Sequence, residues 1–216
     1  MAAKSAKSHP EPMAERVYAL TKDLVFTGEL PGGHLFSEGE IAERAGVSRT
    51  PVREALLRLQ SEGFIRLIPK RGAIVVPISP NEAEDVLDAR QAVETAAVRR
   101  LQARAHLLPS AMNSVRAALA EQQKNADSGD ITAFAKADEY FHRSIVEAGG
   151  NDILIGFYTT LSDRQQRMSA RTLHVMPTNF PIILREHGEL IDLIESGEFE
   201  RFSSALSAHL DRFHRS

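Results

Sequence analysis

Apolar residues recur at helical spacing from Met13 to Thr27, with Val17, Leu20, Leu24 and Val25 on one side, and the stretch Glu29-Leu-Pro-Gly-Gly33 ends the run. A short helix follows. Ser37, with Glu40 three residues on, makes a capping box, and Ile41 and Ala42 lead into the turn Ala45-Gly46-Val47. Ser48 is placed to cap the next helix, whose apolar side is Leu56, Leu57 and Leu59 and which Gly63 stops; Pro51 is tolerated in its first turn. Two β-branched runs, Phe64 to Ile68 and Ala73 to Ile78, are joined by Pro69-Lys70-Arg71-Gly72 and predict a hairpin. After the punctuated junction Ile78-Ser-Pro-Asn81 the pattern becomes nearly continuous helix, at about Glu82 to Ala105, Pro109 to Asp127, Ile131 to Ala148, Asp152 to Met168, Thr178 to Ser196 and Phe199 to Phe213. The expected fold class is therefore mainly α. It comprises a polar tail over 1–12, a helix-turn-helix with a hairpin over 13–79, and an antiparallel helical bundle over 80–216.

Composition narrows the function classes. With no cysteine among 216 residues, thiolate metal sites, thiol nucleophiles and disulfide scaffolds are excluded, and an intracellular, cytoplasmic address is the expectation. No apolar run reaches the roughly 20 residues that a membrane-spanning helix needs, so no membrane partner is expected. The net charge of -3 conceals an asymmetry: residues 1–79 hold 11 Lys+Arg and 9 Asp+Glu, whereas 80–216 hold 15 and 20. Between Ala45 and Gly72 the cations Arg49, Arg53, Arg58, Arg66, Lys70 and Arg71 face only Glu54 and Glu62, which points to an anionic partner for the first domain alone.

Two helices joined by a short Gly-containing turn can present the first turn of the second helix to base edges in the major groove. That turn carries Ser48-Arg-Thr-Pro-Val-Arg53. Arg49 and Arg53 lie four apart on one face, where a guanidinium can donate two hydrogen bonds to guanine O6 and N7 or hold phosphate oxygens. Ser48 and Thr50 add hydroxyls suited to phosphate, and Lys70-Arg71-Gly72 at the hairpin tip would reach the backbone or a minor groove.

The segment Gly46 to Ile65, GVSRTPVREALLRLQSEGFI, resembles the recognition segment of the GntR family of winged-helix transcription regulators, and Leu30-Pro-Gly-Gly33, Glu40-Ile-Ala-Glu43 and Lys70-Arg71-Gly72 fall where that family has its first turn, second helix and wing. The resemblance covers about Met13 to Pro77. It implies that Arg49 and Arg53 contact bases or phosphates, Thr50 a phosphate, and Arg71-Gly72 the duplex as a wing. Gly39 departs from the pattern, because many members carry an arginine at the start of the second helix; the operator sequence or affinity expected at that contact changes accordingly.

In the helical half, polar groups interrupt apolar stripes. Asp138 and His142, four apart, sit in the stripe of Ile131, Phe134, Phe141 and Ile145. His187 is flanked by Leu184, Ile191 and Ile194, and His209 by Phe199, Phe202, Leu206 and Phe213. A lone inward histidine is ordinarily a satisfied core residue, but one carboxylate and three imidazoles on converging faces suit a divalent cation, with Zn favoured and Ni, Mn or Fe as alternatives. Arg90, in register with Val86, Val93 and Ala97, either faces the bundle interior or is salt-bridged.

This half also resembles the FCD ligand-binding domain of the FadR branch of the same family, through Asp138-Glu-Tyr-Phe-His142, Gly150-Asn151, Arg185-Glu-His187 and Ala208-His209-Leu210. The resemblance implies a metal at Asp138, His142, His187 and His209, with open positions for a small carboxylate effector near the matched Asn151; Arg90, by its register and if it faces the interior, would pair that carboxylate. It also implies a homodimer that reads a palindromic duplex operator, most often as a repressor. Two rivals share the ligands. One is a metal-dependent hydrolase or oxygenase built on the three histidines and Asp138; the sequence offers it no His-Glu-x-x-His and, on this reading, no set of inward Glu for a di-iron centre. The other is a purely structural metal.

Overall fold

The computed structural model describes residues 12–175 and 179–214 and divides into two compact units, 1–77 and 78–216. The division falls two residues before the expected junction. The tail read over 1–12 lies, apart from Pro12, outside the described residues, as does the expected helix start at Thr178.

The first unit runs α1 (Met13–Phe26), β1 (Leu35–Phe36), α2 (Glu38–Ala45), α3 (Arg49–Ser61), β2 (Ile65–Ile68) and β3 (Gly72–Val75). Around Ser37 the capping box forms as the spacing requires: its Oγ accepts from Glu40 N–H, and Glu40 Oε2 accepts from Ser37 N–H. Gly46 turns the chain in the left-handed region at φ 66°, where a residue with Cβ is disfavoured. Val17, Leu24, Phe36, Ile41, Val52, Leu56, Leu59 and Val75 fill the core between the three helices and the sheet.

That sheet holds one strand more than the pattern indicates. β1 pairs with β3, Leu35 opposite Ile74, giving an antiparallel order β1-β3-β2. Gly72 allows this: at φ 110° it lies so near β1 that a Cβ would stand 2.1 Å from the Phe36 carbonyl oxygen. The hairpin ends at Val75 rather than Ile78, short of Pro77, which has no N–H to offer a ladder. Leu57 is a second correction. It is exposed and does not belong to the apolar side of α3.

The second unit contains α4 (Pro80–Gln102), a 3-10 turn (Ala105–Leu107), α5 (Leu108–Ser128), α6 (Ile131–Ala148), α7 (Asp152–Thr159), α8 (Ser162–Val175), α9 (Phe180–Glu195) and α10 (Phe199–His214). Side chains of Ser79, Asp130 and Asn151 cap α4, α6 and α7. Where one helix was expected over Asp152 to Met168 there are two. Thr159 and Thr160 turn their hydroxyls back on the Ile155 and Phe157 carbonyls, at 2.9 and 2.7 Å, and the chain breaks before Ser162. Val98, Leu101, Val115, Phe141, Ile145, Leu190, Ile194, Phe202 and Leu206 form the main core. Phe213, read into the α10 stripe, has its side chain outside the described residues. At the end of α6 a Cβ on Gly149 would come within 2.8 Å of Ala97 Cα, so only glycine lets that turn lie against α4. Among the described residues no helix is long and apolar enough to cross a membrane.

Candidate metal centre and nucleic-acid face

Asp138 and His142 stand one turn apart on α6, His187 comes from the middle of α9, and His209 from α10. All four are buried, and one ligand atom from each lies within 4.8 Å of the others. His187 Nε2 is 3.3 Å from His209 Nε2 and 3.6 Å from Asp138 Oδ1. Two atoms bonded to one ion at about 2.0–2.1 Å stand about 2.9–4.2 Å apart, depending on the angle between them, so these two spacings suit a shared ion.

The outer nitrogens explain why the inner ones converge. His142 Nδ1 is 2.8 Å from Glu94 Oε2, His187 Nδ1 is 2.7 Å from Gln122 Oε1, and His209 Nδ1 is 2.9 Å from Glu186 Oε2. Each partner is an acceptor, so each imidazole carries its proton on Nδ1 and turns the Nε2 lone pair inward, as a metal ligand must. Gln122 does two jobs. Its carbonyl accepts from His187 while its amide N–H donates to Asp138 Oδ1 at 3.3 Å, and Ser169 donates to Asp138 Oδ2 at 2.9 Å. Phe141 stacks on His187 with ring centroids 3.9 Å apart. The donor set, its burial and its orienting partners all fit a divalent ion.

Electrostatics agree at His187. Burial, reinforced by the neighbouring His142, His209 and Arg90, holds His187 well below its ordinary value, which keeps it neutral. Burial pushes Asp138 up from the usual carboxylate range, against the pull of Arg90, His209, Ser169 and Gln122. In metal-stripped protein a histidine depressed in the fold binds fewer protons than in the unfolded chain, so its contribution to stability is present above pH 6.5 and is lost as pH falls below it. The expected slope from this group is at most about 1.4 kcal/mol per pH unit. Urea unfolding at pH 7 and 5.5 measures it, and His187→Gln should flatten the profile; an unchanged profile would refute the assignment.

Sequence reasoning missed the neighbour of His142. Glu94 is fully buried; its Oε1 accepts from Arg90 Nε at 3.1 Å and Tyr158 O–H at 2.9 Å, and its Oε2 faces His142. Glu139 is buried as well, against the Ser162 hydroxyl at 2.6 Å. Two Glu thus face inward, which the sequence did not indicate. Neither belongs to the four-residue cluster, however. Arg90 combines the two alternatives left open by the sequence: it is both buried and salt-bridged, and among the described residues its Nη2 has no hydrogen-bond partner. Burial opposes its charge, but Tyr158 and Glu94 outweigh this and hold the guanidinium protonated. The side-chain oxygen of Asn151 accepts from the Ile153 and Leu154 N–H groups at the start of α7.

In the first unit, Ser48, Arg49, Thr50 and Arg53 are exposed along the first turns of α3, and Lys70 and Arg71 are exposed at the hairpin tip beside Gly72. Ser48 occupies the cap position, yet its side chain makes no capping bond, contrary to expectation. Arg53 donates from Nε to Glu38 at 2.9 and 3.0 Å. Arg58 leaves the basic patch. It bridges Glu15 and Glu62 and lies over the Tyr18 ring at 3.7 Å, a clamp between α1 and α3.

Comparison with known proteins agrees with both halves. Residues 13–75 match the family model "Bacterial regulatory proteins, gntR family", and residues 85–212 match "FCD domain". The chain is 31% identical to an uncharacterized HTH-type transcriptional regulator in an unstable DNA locus of Streptomyces ambofaciens, over 90% of this chain and 80% of that one. It is 28% identical to the HTH-type transcriptional repressor RspR of Escherichia coli, over 95% and 89%. A GntR regulator structure from Rhodococcus shares the fold, with a TM-score of 0.72 at 20% identity over 94% of this chain and 95% of that one. Since these relatives are regulators and not enzymes, the hydrolase or oxygenase reading falls, and the chain belongs to the GntR family of bacterial transcriptional regulators, a DNA-binding domain followed by an FCD domain.

Proposed function

We propose that this chain is a cytoplasmic, metabolite-responsive repressor of the FadR type, acting as a homodimer on a palindromic operator and controlled by a small organic acid bound beside a divalent metal in the FCD domain. The observation that carries the sensor half is the inward orientation of three imidazoles and one carboxylate, each imidazole fixed through Nδ1 by an acceptor of its own. Asp138, His142, His187 and His209 would hold the ion, with zinc the best match to nitrogen-rich donors. When bound, the ion offers a carboxylate effector a Lewis-acidic attachment point. Arg90, charged and with a buried Nη2 that no acceptor meets among the described residues, is the protein's own donor to the same carboxylate. Asn151, whose oxygen caps α7, would contribute its amide N–H to the same effector.

On the DNA side, Arg49 and Arg53 read base edges or hold phosphates, Ser48 and Thr50 bind phosphate, and Lys70, Arg71 and Gly72 form the wing. An effector changes operator affinity only through its unequal affinity for the competent and incompetent states of the dimer, typically about 1–3 kcal/mol of coupling. The repressing sign follows the relative described as a repressor. The test is calorimetry of metal-stripped full-length protein with Zn(II), then of the zinc-loaded protein with a panel of mono- and dicarboxylates, alongside duplex selection from a randomised pool. One zinc per chain, a carboxylate that binds only the loaded form, and a selected palindrome released by that acid are expected. Carboxylate binding that ignores zinc, or selected DNA that ignores the acid, overturns the sensor reading.

A further inference from the structure

Arg53 is more exposed than Arg58, the other arginine of α3 with an ion pair, and its guanidinium is engaged on one side. The Glu38 carboxylate takes the Nε proton with both oxygens, at 3.0 and 2.9 Å. Glu38 is the first residue of α2, and the capping box formed by Ser37 and Glu40 fixes that turn, so the carboxylate is delivered to Arg53 by rigid backbone. A guanidinium has two edges that can each make a pair of parallel hydrogen bonds. With the Nε edge engaged by Glu38, the remaining edge is the terminal Nη1/Nη2 pair, the edge that fits guanine O6 and N7 end-on.

We propose that Glu38 is a positioning residue for sequence reading: it holds Arg53 so that the terminal edge meets a guanine, and it penalises release of Arg53 to a phosphate. An exposed ion pair contributes little to stability, so the effect is on choice between sites, not on the fold. Gly39, beside Glu38, has no side chain to share the task. The inference rests on the proposed DNA-reading role of Arg53.

Its test uses the full-length chain, a pool of duplexes randomised over their central segment, and three variants: Glu38→Gln, Arg53→Ala and the double substitution. The readouts are base preference at each position, affinity for the selected and a scrambled duplex, and thermal unfolding. Arg53→Ala is expected to erase the preference for guanine at one symmetry-related pair of positions. Glu38→Gln should relax preference at that same pair by about tenfold, shift affinity for scrambled DNA by less than about threefold, and add nothing to the Arg53→Ala loss there. Glu38→Asp, whose carboxylate is one methylene short of Nε, should relax the same pair and serves in place of a Gln variant that folds poorly. If Glu38→Gln keeps the preference, or tightens binding to all duplexes alike, the positioning role is refuted while the reading role of Arg53 stands. If Arg53→Ala leaves every preference intact, both fail.

Discussion

Zinc added to metal-stripped His187→Ala protein should raise its melting temperature far less than it raises that of the parent chain. The reason lies in what the substitution removes. His187 supplies the ligand atom shared by the two short spacings in the cluster, 3.3 Å to His209 and 3.6 Å to Asp138. With zinc at about 1,000 times its dissociation constant the parent gains about 4 kcal/mol, on the order of 10 °C for a chain of this size. Loss of a direct ligand should weaken the metal by at least about 100-fold, and Gln122→Ala, which only frees the ring, by about 10–100-fold. Elemental analysis after dialysis gives the same ranking. Equal zinc content in His187→Ala would refute the site, whereas a melting shift with no change in carboxylate response would make the metal structural.

The largest effect on folding is expected at Glu94. Its carboxylate is the hydrogen-bonded counter-charge of a guanidinium that is itself buried, and it also satisfies Tyr158 O–H and His142 Nδ1. Glu94→Ala leaves an uncompensated buried cation and takes the acceptor from His142 Nδ1, while Tyr158 O–H keeps Gln165 Oε1 at 3.0 Å; removal of one partner from such a pair costs about 3–5 kcal/mol. Urea denaturation followed by circular dichroism would read this. The double substitution Arg90→Met, Glu94→Met should recover most of the loss, because the desolvated charges leave together. A Glu94→Ala midpoint within about 1 kcal/mol of the parent would mean that Arg90 finds another counter-charge.

The sequence reveals those parts of the molecule in which local chemistry and tertiary placement coincide. The capping box at Ser37, the left-handed turn at Gly46 and the exposed arginines of α3 are specified by residues within a turn or two of one another, and each is found where the spacing puts it. Asp138, His142, His187 and His209 were legible because each breaks an apolar stripe. β1 was hidden, since a two-residue strand is defined only by its partner some 40 positions away, with Leu35 opposite Ile74. Glu94 was hidden for another reason: four residues after Arg90 it has the spacing of an ordinary solvent-facing helix pair, and only burial shows that the pair is internal. Gln122 could have been found. It continues the stripe of Met112, Val115 and Ala118 and is a polar residue where an apolar one belongs, as His187 is.

The Gln122 amide has a direction, and that direction constrains the traffic of protons. Because its oxygen meets His187 and its nitrogen meets Asp138, the group is satisfied only when the imidazole keeps hydrogen on the outer nitrogen and Oδ1 of the aspartate is bare. A glutamate here would set a second anion against Asp138, and a shorter asparagine would lose one of the two contacts. His187 thus meets an arriving cation already in its receptive tautomer, with no hydrogen to shed.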